Sequence, residues 1–367
     1  MKPKVILVDI IDPKTTPEES LARLNELESL LVTYGGFVII RKIQKRQSPD
    51  YQTYIGKGKV DEILEEAKST KATYVIINNL LKPQQSYNLE KIFETHNIQI
   101  WDKIDLILNI FAKHATTKEA KLQIELASLR HLGPRIFKMG DELMRQAGGI
   151  GTRGKGETNI EIMKRHIARR KQKVKDVLKK IEKNQSSQRR HRKNSGFKIA
   201  AIVGYTNAGK SSLLRALTGK KVKVQNELFA TLDSRIGKVY LPKVQGSVLM
   251  SDTIGFIRNL PPELIHAFHS TLAETIHADL LIHVIDASDL EMEWKIETVD
   301  NVLEGLECEC KNVVYIFNKI DLVMKDRLES LKEDYSALNP IFLSAERGIN
   351  LNELKDRIGD ELLLNGN

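Results

Sequence analysis

The sequence predicts an α/β protein in four parts: a small parallel α/β domain over residues 1–102, an antiparallel helical hairpin over 103–184, a basic linker over 185–196, and a C-terminal P-loop domain over 197–367, mostly parallel sheet with flanking helices. Three observations carry this reading. Short apolar runs alternate with amphipathic stretches in residues 1–102 and again after Phe197. Between these regions the apolar spacing changes to the 3-4 pattern of paired helices. A strand, a glycine-rich loop and a helix follow one another from Phe197 to Leu217.

In the first domain, residues 5–10, 37–43, 74–78 and 98–101 read as strands, and 17–32, 59–67 and 83–95 as helices. Strands of this buried type, alternating with helices, are the pattern of a parallel sheet covered on both faces. From Lys103 the pattern turns helical. One helix is expected over 104–114 and a second beyond Thr116, where Thr116 and Glu119 have capping-box spacing. After the glycine-rich stretch 148–156, another helix carries Ile160, Met163, Ile167, Arg170, Val174, Val177 and Ile181. That is an apolar seam with one polar break, and two helices joined in this way predict a hairpin. The polar, basic tract 185–196 reads as a linker. No internal repeat with a period of roughly 20–50 residues occurs.

Of 367 residues, 41% are hydrophobic and 29% charged, which suits buried cores and excludes a wholly disordered chain. There is no run of about 18 apolar residues, so no membrane-spanning helix is expected. The N-terminus reaches Asp9 after the four apolar residues Val5 to Val8, too few for a secretory leader, and a cytoplasmic protein is expected. Cys308 and Cys310 are too close for an easy disulfide and too few for a zinc site. The net charge is +9, but residues 153–193 hold 16 Lys and Arg against 4 Asp and Glu, a net of +12, leaving −3 on the rest. Such concentration points to a polyanion partner, RNA first. A Lys-rich solvated helix face is the plain alternative.

The strand at 197–203 leads into Gly204-Tyr205-Thr206-Asn207-Ala208-Gly209-Lys210-Ser211 and then the helical run from Ser212. Glycines let backbone N–H groups wrap phosphates, and the helix N-terminus adds partial positive charge. Lys210 is expected on the β- and γ-phosphates and Ser211 on Mg²⁺. Asp252-Thr253-Ile254-Gly255 follows an apolar run: Asp252 is expected in the Mg²⁺ shell and the Gly255 N–H at the γ-phosphate. Asn318-Lys319-Ile320-Asp321 follows another. Asp321 can accept from guanine N1–H and the exocyclic amine, a donor pair adenine lacks, which selects GTP. Ser344-Ala345-Glu346 would supply an N–H to guanine O6. Each tetrapeptide is weak alone; the order and spacing make the set specific. Thr231, between the first two elements, is the expected switch threonine on Mg²⁺. Phe256 stands where a water-orienting glutamine is found in Ras-like enzymes, so slow intrinsic hydrolysis is expected. Asn207 is a candidate K⁺ ligand, and it also reads as a loop asparagine that stabilises its own turn.

Together with Tyr54-Ile55-Gly56-Lys57-Gly58-Lys59-Val60-Asp61, Leu106-Ile107-Leu108-Asn109-Ile110-Phe111-Ala112, Gly148-Gly149-Ile150-Gly151-Thr152-Arg153-Gly154-Lys155-Gly156-Glu157-Thr158 and Phe229-Ala230-Thr231-Leu232-Asp233, these motifs resemble the HflX family of translation-factor-related GTPases. The resemblance spans nearly the whole chain. Its middle motif is the most specific, because generic GTPases lack it.

The resemblance implies a GTPase of GTP/GDP and Mg²⁺ that binds the large ribosomal subunit and its rRNA and splits or rescues stalled ribosomes. The hairpin tip would approach the peptidyl-transferase region. Gly149, Gly151, Arg153, Gly154 and Lys155 at the tip, with Arg169, Arg170 and Lys171 on the following helix, are the expected RNA contacts. The resemblance also implies ATP at the N-terminal domain, near Gly56 to Lys59, although that tetrapeptide reads equally as a turn before a helix. Two departures stand out: Lys155 occupies a position where many members carry proline, and only residues 347–367 follow Glu346, where many members have a further domain. A monomer is expected, cytoplasmic, with association to ribosomes or to the membrane surface. Two other readings remain open: a GTP-gated regulator of a protein partner such as a membrane protease, and an ATP-driven RNA remodeller.

Overall fold

The computed structural model describes residues 2–147, 159–194, 196–219, 235–253, 255–258, 275–306, 308 and 312–364. They form two compact units, one of residues 1–113 with 121–178 and the other of 114–120 with 179–367.

The first unit begins with a four-stranded, all-parallel sheet in the order β2-β1-β3-β4: β1 (Lys4–Ile11), β2 (Phe37–Lys45), β3 (Tyr74–Ile77) and β4 (Gln99–Asp102). Helices α1 (Pro17–Tyr34), α2 (Lys57–Thr70) and α3 (Pro83–Glu94) make the crossovers. The α1 N-terminus is fixed by Thr16, whose Oγ1 accepts from the Glu19 N–H, with Pro17 next to it. Its end is a left-handed Gly35. One face of the sheet is buried through Ile6, Val8, Val75 and Ile77 against Val60, Ile63, Leu89 and Phe93 of α2 and α3. Gly56 caps α2 without a side-chain bond, so the Gly56 to Lys59 tetrapeptide is the first turn of that helix.

Helix α4 (Lys103–His114) is followed by α5 (Lys118–Ala147) and α6 (Asn159–Asn194). The α5 cap is Thr117, one residue later than the expected Thr116: Thr117 Oγ1 accepts from the Ala120 N–H at 3.1 Å. In the α6 seam, Ile167 and Val174 are buried, Val177 and Ile181 are half-buried, and Met163 is exposed. Arg170, the polar break, spends its guanidinium on both carboxylate oxygens of Glu125 in α5. The tract 185–194, expected as a linker, is instead the end of α6. It contains no Gly or Pro before Gly196, and its Gln, Arg and Lys residues are good helix formers. No helix among the described residues is long and apolar enough to cross a membrane.

The second unit holds a six-stranded sheet in the order β10-β9-β8-β5-β7-β6. The strands are β5 (Ile199–Val203), β6 (Arg235–Leu241), β7 (Gly246–Asp252), β8 (Leu280–Asp286), β9 (Val313–Asn318) and β10 (Ile341–Phe342). Only the edge strand β6 is antiparallel, to β7. Helices α7 (Lys210–Thr218), α8 (Met292–Gly305), α9 (Lys325–Asp334) and α10 (Leu351–Leu364) flank it. Every residue of β5 is buried. Alternate residues of β5 face opposite layers: Ala200 and Ile202 pack with α7 and α10, while Ile199, Ala201 and Val203 pack with α8. Loops at the carboxyl ends of β5, β7 and β9 therefore converge at one edge, where open α/β sheets bind ligands.

Candidate functional site

Between β5 and α7 the chain makes the loop Gly204 to Gly209. Gly209 precedes α7 with φ +98°, and a Cβ there would lie 2.2 Å from Asn318 Nδ2, so the position accepts only glycine. Asn207 is also left-handed, at φ +64°, a conformation asparagine tolerates. Lys210, at the first turn of α7, is buried, and its Nζ donates to the Gly204 and Tyr205 carbonyls at 3.0 and 2.7 Å. Burial, with the nearby charge of Lys319, pushes its ammonium from 10.5 down to about 8, partly offset by Asp252. An anion in the loop would reverse this shift.

The two expected Mg²⁺ ligands meet: Ser211 Oγ donates to Asp252 Oδ2 at 2.6 Å. A hydroxyl and a carboxylate are hard oxygen donors, the set Mg²⁺ takes beside phosphate oxygens. Ser212 follows on the first turn of α7. Thr253 Oγ1 is turned inward to the Ile202 carbonyl at 2.7 Å. Gly255 lies against the loop: a Cβ there would fall 2.9 Å from Lys210 Nζ and 2.8 Å from Thr206 Cγ2. Phe256 is buried beside Tyr205, and its backbone bridges to the loop, Thr206 N–H to Phe256 O at 2.8 Å and Phe256 N–H to Gly204 O at 3.2 Å.

Asn318 joins three motifs. Its Nδ2 donates to the Ala208 carbonyl at 2.9 Å, and its Oδ1 accepts from the Ala345 N–H at 3.0 Å. Lys319 has φ +65° and donates to Asp286 Oδ2 at 2.6 Å. Asp321 lies 3.8 Å from Arg347 Nε. Ser344 is buried and its Oγ accepts from the Arg347 N–H, while Glu346 pairs at the surface with Arg215 of α7 at 3.0 Å. Residues from four separate stretches thus meet around one loop. Thr231 and the tip residues Gly149, Gly151, Arg153, Gly154 and Lys155 lie outside the described residues. Arg169 is exposed, and Lys171 is half-buried, its ammonium pushed down by burial and by Arg130 and Lys175.

Three features went unread in the sequence. His283, on β8, is buried; burial and the charge of Lys210 push its imidazole down to about 3, so it is neutral. Arg258 lies with its guanidinium 4.0 Å over the Trp294 ring and donates to Glu291 at 3.0 Å. In the first unit, Asp102 and Asp105 meet His131 and Arg135, one turn apart on α5. Burial would lower His131, but its hydrogen bonds to both carboxylates and their charges outweigh this and hold the imidazolium up to about 9. The i, i+4 spacing of His131 and Arg135 was the available signal, but it names no partner.

Profiles of known families match three stretches: one described as GTP-binding GTPase N-terminal at residues 21–112, one as GTP-binding GTPase middle region at 114–192, and one as 50S ribosome-binding GTPase at 199–319. The GTPase HflX of Caldanaerobacter subterraneus subsp. tengcongensis is 43% identical over 361 residues, 98% of this chain and 81% of that protein. The GTPase HflX of Escherichia coli is 37% identical over 95% of this chain and 80% of that protein. Among solved structures, SsGBP in complex with GDP is similar over the full length of both chains, at 28% identity and a TM-score of 0.54. With its P-loop, Asp-x-x-Gly and Asn-Lys-x-Asp elements gathered at one sheet edge, the chain is a GTPase and belongs to the HflX family.

Proposed function

We propose that this GTPase is a nucleotide-controlled switch that binds the large ribosomal subunit through its rRNA and splits or rescues stalled ribosomes. The observation that carries the reading is α6: its exposed positions from Lys164 to Lys183 include Arg165, Arg169, Lys173, Lys175, Lys179 and Lys180. Such a row matches a phosphate backbone, and the GTPase family whose profile matches residues 199–319 is one of 50S ribosome-binding GTPases. The tip residues, Arg169 and Lys171 serve as RNA contacts, whereas Arg170 would first have to leave Glu125.

In this reading Lys210 and the N–H groups of Gly204 to Ser212 hold the β- and γ-phosphates. Ser211, Asp252 and Thr231 surround Mg²⁺, which supplies charge neutralisation at the phosphates. The Gly255 N–H senses the γ-phosphate, and Asn207 contributes to a K⁺ site. Asn318, Lys319 and Asp321, with Ser344, Ala345 and Glu346, hold guanine. GTP orders the segments around Thr231 and Phe256, and the ribosome accelerates hydrolysis.

The test is steady-state GTP hydrolysis with and without purified large subunits, in K⁺ and in Na⁺, beside Lys210→Ala. Stimulation lost in the variant supports the reading, and K⁺-specific stimulation supports the Asn207 role. A rate indifferent to subunits sinks ribosome coupling and favours the protein-partner regulator.

A second reading concerns ATP at the N-terminal domain. A cavity of about 820 Å³ there is lined by Tyr51, by Lys57 and Asp61 at the start of α2, by Lys82 at the N-cap of α3 and by Lys91 in its last turn. ATP binding that survives Lys210→Ala and falls with Lys57→Ala supports it; ATP binding lost with Lys210→Ala removes it.

A further inference from the structure

Phe256 cannot orient a water by hydrogen bonding, and its ring is committed to the core beside Tyr205. The geometry of this segment therefore rests on how its backbone is held. Two backbone hydrogen bonds tie Phe256 to Gly204 and Thr206. The next fixed point is Arg258, which is buried. Its guanidinium stacks 4.0 Å above Trp294 and is paired at 3.0 Å with Glu291, the residue that caps α8. Trp294 also meets the Tyr205 ring edge-on, with centroids 6.1 Å apart. Lys295 lies 5.3 Å from the same Tyr205 ring and pairs with Asp289. The first turn of α8 thus touches both the phosphate loop, at Tyr205, and the segment after Gly255, at Arg258.

We propose that Arg258 is a positioning residue for GTP hydrolysis: clamped on Trp294 and Glu291, it holds Gly255 and Phe256 in register against the phosphate loop. A guanidinium suits this role because it stacks flat on an indole while donating sideways to a carboxylate. Arg258 acts through Gly255, so the proposal rests on the reading that Gly255 meets the γ-phosphate. Small displacements of such a group are costly to the chemical step and cheap for GDP, which has no γ-phosphate.

The experiment measures kcat and KM for GTP, and the Kd for GDP, in the full chain and in Arg258→Ala, Arg258→Lys, Glu291→Gln and the exchanged pair Arg258→Glu with Glu291→Arg. Arg258→Ala is expected to lower kcat about tenfold and leave the GDP Kd within about twofold. Arg258→Lys, which keeps the charge and loses the flat stack, falls between. The exchanged pair recovers part of the loss, which a simple packing defect would not. The proposal is overturned if kcat is unchanged in Arg258→Ala, or if GDP affinity falls in step with kcat. Gly255→Ala separates the two readings. An unchanged ratio of GTP-analogue to GDP affinity removes the Gly255 reading and the proposal with it. A changed ratio beside an unaffected Arg258→Ala removes the proposal alone.

Discussion

Ser211 Oγ and Asp252 Oδ2 are joined by a 2.6 Å hydrogen bond, although 41 positions separate them in the chain. Ser211 stands on the first turn of α7 and Asp252 at the end of β7, which is a direct neighbour of β5. The pairing brings two hard oxygen donors to the edge of the phosphate loop.

Ser211→Ala removes one of those donors. It is expected to weaken Mg²⁺-dependent GTP binding by about tenfold or more, the scale of one lost charge-assisted contact. Titration of a fluorescent GTP analogue in Mg²⁺ and in EDTA is the measurement. EDTA should weaken binding in the parent protein and have little further effect on the variant; an equal EDTA effect in both would mean that Ser211 is not a ligand.

Lys210 gives a pH signature. Its ammonium is held down to about 8 in the nucleotide-free loop, and bound phosphates raise it again. Above that pH, binding must take up a proton, so GDP affinity should be flat below about pH 7.5 and then fall, approaching tenfold per pH unit. The sign for folding is opposite: without nucleotide, the depressed ammonium makes the fold gain stability as pH rises from about 8 towards 10.5. Lys210→Arg stays charged and should flatten the binding curve. A wild-type affinity that does not change up to about pH 9 would contradict the assignment.

Asp321→Asn tests base recognition. In the proposed reading the carboxylate accepts from two guanine donors, and an amide would not accept both. GTP affinity should fall about a hundredfold, while affinity for a xanthine nucleotide, which offers an acceptor in place of the amine, rises. Competition binding with the two nucleotides reads both changes. Loss of both affinities together would point to a damaged loop.

The buried quartet in the first unit predicts a stability effect. Arg135→Ala leaves Asp102 and Asp105 with one cation fewer, and breaking a buried pair costs about 3–5 kcal/mol. His131 carries a folded-state value raised from 6.5 to about 9, so its contribution is fully present below 6.5 and is lost as pH rises towards 9. Urea denaturation of the parent and of His131→Gln across that window should converge as pH rises. Parallel curves would show that the imidazolium does not contribute.

The sequence by itself determined the local elements and their chemistry. Buried-type strands alternating with amphipathic helices made the all-parallel first sheet and the mostly parallel second one legible, since apolar period and turn chemistry are local properties. The nucleotide motifs were legible for the same reason: a phosphate loop needs Gly209, Lys210 and Ser211 adjacent in the chain, and Asn318, Lys319 and Asp321 sit together on one strand end. Local reading also failed locally, at the α5 cap and at 185–194, where helix-forming side chains outweighed a polar composition. Tertiary structure alone decided which distant side chains meet. Arg170 and Glu125 meet across α6 and α5, a pairing that no spacing in the sequence encodes. Asp102, Asp105, His131 and Arg135 carry no motif, because their meaning lies in the desolvation and mutual charge that packing α5 against β4 and α4 creates. Arg258, Glu291 and Trp294 are the same case: strand order sets α8 beside the phosphate loop, and no spacing in the sequence encodes that proximity.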